Sequence, residues 1–157
     1  MVKKIIIGAV CILVILLVGI PFLKNGEVED ATTADIDFEL IKEGSSNYRV
    51  CGLWDDDNKD QYKYIIIKPR YVMESYGTAE ITEIGEEAFA NYSKMETIHI
   101  PSSVTVIQKG AFSGCTNLNK VSFGGTIEQW KNIKIGSGNE ALEQVAMEYE
   151  VPTPECD

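Results

Sequence analysis

The stretch ITEIGEEAFANYSKMETIHIPSS, Ile81 to Ser103, runs without a break into VTVIQKGAFSGCTNLNKVSFGGT, Val104 to Thr126. Each phrase is 23 residues long, and the apolar positions of one fall on those of the other. Ile81 meets Val104, Ile84 meets Ile107, and Ala88-Phe89 meets Ala111-Phe112. Farther along, Met95 meets Leu118, Ile98 meets Val121, and Ile100 meets Phe123. A fixed period of this size marks an architecture of stacked coils, in which no coil buries its apolar face alone. The rest of the chain is therefore read as what delivers, caps or tethers these two coils.

Within a coil, Gly85 allows a tight turn-in, and Glu86-Glu87 place negative charge where the dipole of a helical turn favours it. Ala88 and Phe89 point inward. Asn91, and Gly114 in the second copy, suit a helix exit in left-handed backbone. A short strand follows, Glu96 to Ile100 or Asn119 to Phe123. Alternation turns Ile98 and Ile100, or Val121 and Phe123, into the core, and Thr97, His99, Lys120 and Ser122 outward. Pro101 ends the first strand and Gly124-Gly125 the second. The period sets successive strands parallel, one rung apart.

Working outward, Tyr64-Ile65-Ile66-Ile67-Lys68-Pro69 anticipates Thr97-Ile98-His99-Ile100-Pro101 and reads as a degenerate first rung. Before it, Phe38 to Ile41 and Tyr48 to Leu53 read as short strands joined by Gly44-Ser45-Ser46-Asn47. The acid run Asp55 to Asp60 does not fit a calcium loop. Counted from Asp56, Gln61 stands where glycine is needed and Ile67 where glutamate is needed. It reads as a solvated turn, with Trp54 beside it as the aromatic expected to be exposed. On the C-terminal side, Ile127, Trp130 and Ile133 give one apolar face at three-residue spacing. Trp130 is expected to cover the open base of the last full coil, and Val145, Met147 and Tyr149 to turn inward as a final rung.

The amino terminus carries a different message. Ile5 to Leu23 is almost wholly apolar and follows Lys3-Lys4. At about 1.5 Å per residue it nearly spans a hydrocarbon core of ~30 Å. The lysines favour a cytoplasmic start, with everything after Lys24 outside. The rival reading is a cleaved signal peptide, though Gly19 to Leu23 offers a poor cleavage site. The polar stretch that follows reads as a flexible stalk.

Composition narrows the function. The net charge of the 157 residues is -10, and residues 1–24 hold three lysines and no acid, so the remainder is more acidic still. That argues against nucleic acid as a partner. The four cysteines show no CxxC spacing, which argues against zinc. Cys51 and Cys115 read as small buried thiols, with a disulfide between them as the alternative in an oxidising compartment. The only histidine, His99, reads as plain surface. No serine or cysteine has an evident histidine–acid partner, and there is no phosphate loop, metal cluster or carboxylate pair. The sequence implies no enzyme and no cofactor.

The phrases Ile84-Gly85-x-x-Ala88-Phe89, Ile98-His99-Ile100-Pro101-Ser102-Ser103-Val104 and Ala111-Phe112-Ser113-Gly114-Cys115-Thr116-Asn117-Leu118 resemble the BspA-like (Treponema-type) leucine-rich repeats of bacterial surface proteins. Gly125-Thr126-Ile127-Glu128-Gln129-Trp130-Lys131-Asn132-Ile133, then Gly138-Asn139-Glu140-Ala141-Leu142, resemble the piece that closes such arrays. The sequence departs from the pattern at Asn91-Tyr92, where Gly-Cys is usual, and at Gln108-Lys109, where a glycine is usual.

Residues and resemblance together lead to an expected α/β fold: a short leucine-rich-repeat solenoid of parallel short strands and helical turns, as the resemblance implies, with an N-terminal β cap, after an N-terminal transmembrane helix read from Ile5 to Leu23. The expected division is 1–24 anchor or signal peptide, 25–36 stalk, 37–80 cap and first rung, and 81–126 the two repeats. Residues 127–150 form the C-terminal cap and 151–157 a frayed tail. The resemblance also implies non-enzymatic interaction or adhesion at a cell surface. The partner is expected to be a surface or host protein, with polysaccharide as an alternative ligand and a structural spacer as an alternative role. Register alone marks the outward row Ile66, Thr97, His99, Lys120, Ser122, Ala146 and Glu148 as the candidate contact.

Overall fold

The computed structural model describes residues 30–31, 36–54, 59, 61–73 and 77–150. The expected anchor or signal peptide, most of the stalk, most of the acid run and the C-terminal tail lie outside the described residues. Among those described, no helix is long and apolar enough to cross a membrane.

The chain alternates short strands and turns. In order these are β1 (Asp30–Ala31), β2 (Ile36–Leu40), β3 (Asn47–Leu53), β4 (Tyr64–Ile66), β5 (Arg70–Met73), β6 (Gly77–Ile84), β7 (Thr97–Ile100), β8 (Val106–Ile107) and β9 (Lys120–Phe123). Then come a helix α1 (Ile127–Lys131), β10 (Lys134–Ile135), a 3-10 turn (Glu140–Glu143) and β11 (Ala146–Tyr149). They form two sheets. One runs β1-β4-β7-β9-β11, all parallel. The other runs β10-β8-β6-β3-β2, parallel except for the antiparallel β2–β3 hairpin, with β5 antiparallel on β6.

The register follows the repeat. Ile98 pairs with Val121 and Ile100 with Phe123 in the first sheet, and Ile84 pairs with Ile107 in the second. The degenerate rungs join the same ladder, Ile65 beside Ile98 and Met147 beside Val121. The second sheet was not foreseen. Its strands β8 and β10 have two residues each, too few for alternation to show. Asp30–Ala31 pairs with Tyr64–Ile65 and Ile36 is buried, so the stretch expected as stalk is partly sheet.

The core fills the space between the sheets. Ile84, Ile98, Ile100, Ile107, Val121 and Phe123 are all buried, and the Phe89 and Phe112 rings stack at 5.6 Å from successive coils. At the N-terminal end, Phe38 meets Tyr48 at 5.6 Å and Tyr71 at 5.0 Å, closing the stack with an aromatic cluster. Cys115 is buried between the two coils, its thiol donating to the Phe89 carbonyl at 3.1 Å and pushed up to about 11 by burial. Cys51 is instead exposed on β3, so the expectation of two buried thiols holds only for Cys115, and the two are not joined.

The turns between the sheets are not helical, contrary to expectation. Glu87 and Asn91 both adopt left-handed backbone, φ 56° and 63°, as do their equivalents Gly110 and Gly114 at 64° and 74°. A left-handed residue breaks a helix after one turn. It also aims alternate amides at the neighbouring coil. Glu87, Phe89 and Asn91 N–H donate to the carbonyls of Lys109, Ala111 and Ser113 at 3.1, 2.8 and 2.7 Å. The turns thus form a third ladder beside the two sheets. Gly85 serves through size, not φ: a Cβ there would come within 2.7 Å of the Val50 carbonyl oxygen.

At the C-terminal end this ladder needs an acceptor that no further coil among the described residues supplies. Asn139, 5 % exposed, provides it. Its Oδ1 accepts from Phe112 N–H at 2.9 Å, while its Nδ2 donates to the carbonyls of Gln108 and Gly136 at 2.9 and 2.8 Å. Gly110 N–H reaches the Ser137 carbonyl at 2.8 Å. Trp130 takes a smaller share of the capping than expected. It lies half-buried, edge-on to Phe123 at 5.2 Å. Ile133 and Leu142 are buried, but Ile127 is 42 % exposed, so the apolar face of α1 is narrower than its spacing suggests.

Asn139→Ala orphans one buried amide and two carbonyls. It is expected to lower stability by about 2–4 kcal/mol, read as a lower urea midpoint at unchanged slope. Glu87→Gly relieves a left-handed L-residue and should raise stability by about 0.5–1 kcal/mol. A midpoint that stays or falls would count against the strain assigned to Glu87.

Candidate interaction face

The outer face of the all-parallel sheet gathers the residues that register marked out. Ile66, His99, Ser122 and Glu148 lie in one row across four strands, and Tyr64, Thr97, Lys120 and Ala146 in the next. Neighbours in a row sit about 4.8 Å apart, the strand spacing. All the expected residues are therefore brought together. Tyr64 and Ile66, each 40 % exposed, give the β4 end an apolar character.

Three polar contacts organise the remainder. His99 Nδ1 lies 3.2 Å from Ser122 Oγ. Lys120 Nζ meets Glu148 Oε1 at 2.7 Å, and Lys63 Nζ meets Glu96 Oε1 at 2.7 Å. The Glu96 carboxylate, through its hydrogen bond and its charge, holds the Lys63 ammonium above the usual lysine range. Burial pushes the His99 imidazole below its ordinary value, and the negative charge of Glu150 works the other way.

The His99–Ser122 contact was missed in the sequence, although the 23-residue offset between the two positions implies it. Nucleophilic chemistry needs more than this pair. A hydrolytic serine requires donors aimed at a developing oxyanion. Here the amides of β7 and β9 are committed to the ladder that binds these strands to their neighbours. The hydroxyl stands on an open sheet face.

The outer face of the second sheet is occupied differently. Arg49 on β3 donates to Glu83 on β6 at 3.0 and 2.9 Å and to Glu39 on β2 at 3.1 Å. Gln108 Nε2 also donates to Glu83 at 2.9 Å. Burial opposes the Arg49 charge most strongly, yet the two carboxylates together hold its pKa above the ordinary arginine value. These groups satisfy one another across β2, β3 and β6 and leave little for a partner. The exposed apolar residues of the first sheet have no such lattice around them. Among the described residues, no group of three or more histidine, cysteine or acidic side chains is placed to hold a metal ion.

Residues 76–148 match the family model described as a BspA type leucine rich repeat region (6 copies). The repeats are BspA-type leucine-rich repeats. Two solved structures share the fold. One is a leucine rich cell surface protein from Faecalibacterium prausnitzii A2-165, at 20 % identity and a TM-score of 0.55. The other is a leucine-rich repeat protein from Bacteroides ovatus ATCC 8483, at 22 % identity and a TM-score of 0.51. Each covers 74 % of this chain, and the chain spans 29 % of the first and 36 % of the second. No curated protein matches the chain.

The titration of His99 has a definite sign. Its folded pKa lies below 6.5, so the unfolded chain binds the proton first as pH falls. The stability contributed by the neutral ring is full above that value and is lost as pH falls through the folded pKa. The fall in urea midpoint between about pH 7.5 and 5.5, a window bracketing the unperturbed histidine value, should be smaller in His99→Gln than in the parent. Equal losses in the two proteins would refute this.

Proposed function

We propose that this chain is a non-enzymatic interaction module, displayed at a bacterial cell surface, that binds a protein partner through the outer face of its five-stranded sheet. The observation carrying this reading is the side-by-side exposure of Tyr64 and Ile66 at one end of a rigid row that continues through His99, Ser122 and Glu148. An apolar anchor beside a polar row suits a protein surface, where aromatic and aliphatic groups supply affinity and charged groups fix register. The BspA-type repeats and the surface protein of like fold support display outside the cell.

The apolar run Ile5 to Leu23 serves in this reading as a retained membrane anchor, with the repeats outside. Mass measurement of the native chain separates this from a cleaved signal. A second reading, a weak glycan platform, draws support from Trp54, which is 49 % exposed at the end of β3. The protein reading is preferred because the apolar end and the polar row share one face.

Lys120→Glu combined with Glu148→Lys keeps the net charge and reverses the pair. It is expected to reduce crosslinked capture of the partner from a surface extract by about ten-fold, through like charges set against the partner's own. Capture that matches the parent would rule out this face as the contact.

A further inference from the structure

The cap that ends the array contains a cleft that neither the core nor the sheet face uses. Its volume is about 460 Å³, and its lining includes Trp130, Ile135, Ser137, Glu140 and Glu143. Trp130 packs T-shaped against Phe123, ring centroids 5.2 Å apart, and its half-exposed side chain also lines the cleft. Glu140 and Glu143 are exposed and sit three residues apart on the 3-10 turn. At three residues per turn, such positions eclipse one another, so the two carboxylates stand on the same side and repel. No base among the described residues lies within ion-pairing distance of either. The last wall is apolar: Ile135, 44 % exposed, on β10. β10 ends its sheet, with no strand beyond it among the described residues.

An indole, two unmatched carboxylates and an apolar flank in one cleft describe a receptor for a cation on an aliphatic stem. Guanidinium fits better than ammonium. It is planar, stacks on indole, and offers a fork of donors that can serve two carboxylates at once. We propose that the cleft receives an arginine side chain from an extended segment of a partner protein. The guanidinium lies on Trp130 between Glu140 and Glu143, and the methylene stem lies along Ile135. The acidic chain, net charge -10, steers a basic partner toward it. The site is separate from the sheet face, so it adds a second contact of defined chemistry to the module.

The test uses the full chain in neutral detergent with Trp54→Phe, which leaves Trp130 as the only tryptophan. Hexa-arginine is titrated against its emission, with hexacitrulline as the neutral isostere. A saturable change is expected with hexa-arginine and none with hexacitrulline. Glu140→Gln with Glu143→Gln leaves Trp130 in place and should weaken binding about five-fold, the size of two exposed ion pairs. Glu43→Gln with Glu80→Gln removes the same charge outside the cleft and should leave binding unchanged. Equal weakening in the two doubles, equal binding of hexacitrulline, or no saturable change at Trp130 would each overturn the proposal. None of these variants alters the sheet face, so the outcome is independent of the role assigned to that face.

Discussion

The amides of the turns are the constraint on which the structure rests. A coil of this kind has no helix to satisfy its own backbone and is too short to enclose its own core. Each coil must therefore hand its turn amides to the next, as Glu87, Phe89 and Asn91 hand theirs to Lys109, Ala111 and Ser113. Buried backbone groups left without partners are costly, so the stack continues until something other than a coil accepts the bonds. Asn139 does this with a side chain that carries the same donor and acceptor groups as a peptide unit. The left-handed backbone at Glu87, Asn91, Gly110 and Gly114 is the local cost of aiming those amides outward.

The two sheets divide the remaining tasks. One face locks Arg49, Glu39, Glu83 and Gln108 into a lattice that ties the N-terminal hairpin to the repeats. The other leaves apolar Tyr64 and Ile66 beside the half-buried His99–Ser122 pair. The locked polar lattice and the exposed apolar pair thus lie on the outer faces of the two sheets, with the core between them. The coils are also tied to what precedes them at position 92 of the first and 115 of the second, both buried. Tyr92 accepts from Leu53 N–H at 3.2 Å, whereas Cys115 donates to the Phe89 carbonyl. Each fastens its coil to the element before it. The longer side chain is used where the preceding element is the hairpin strand β3 and not another coil.

The ladder of β7 and β9 was legible in the sequence because its period is long and its alternation strict. Ile98, Ile100, Val121 and Phe123 lie where alternation places them. The outward row was legible for the same reason, since a residue and its partner one period away must be neighbours. The second sheet was not legible: two-residue strands carry no periodicity, and Val106 and Lys134 look like loop residues. The turns were misread as helical because Glu86-Glu87 mimics a helix start, and only backbone geometry shows Glu87 on the left-handed side. The cap was legible at Trp130 from its three-residue spacing with Ile127 and Ile133, but the tighter seal is Asn139, a polar residue in a glycine-rich loop that composition would place at the surface. The cleft residues Glu140 and Glu143 had no signal of their own, because their meeting with Trp130 depends on how the cap folds back.

The direction of the hydrogen bonds has a mechanical consequence. In both sheets and in the turn ladder, the bonds between rungs run along the axis of the stack. A load applied between the two ends of the stack therefore pulls on one rung's bonds at a time and does not shear many together. Such a module yields rung by rung and lengthens under tension, starting from whichever end is less firmly sealed. A protein tethered at its amino end and gripped near Glu148 would behave less as a rigid rod than as an extensible link between a surface and what it holds.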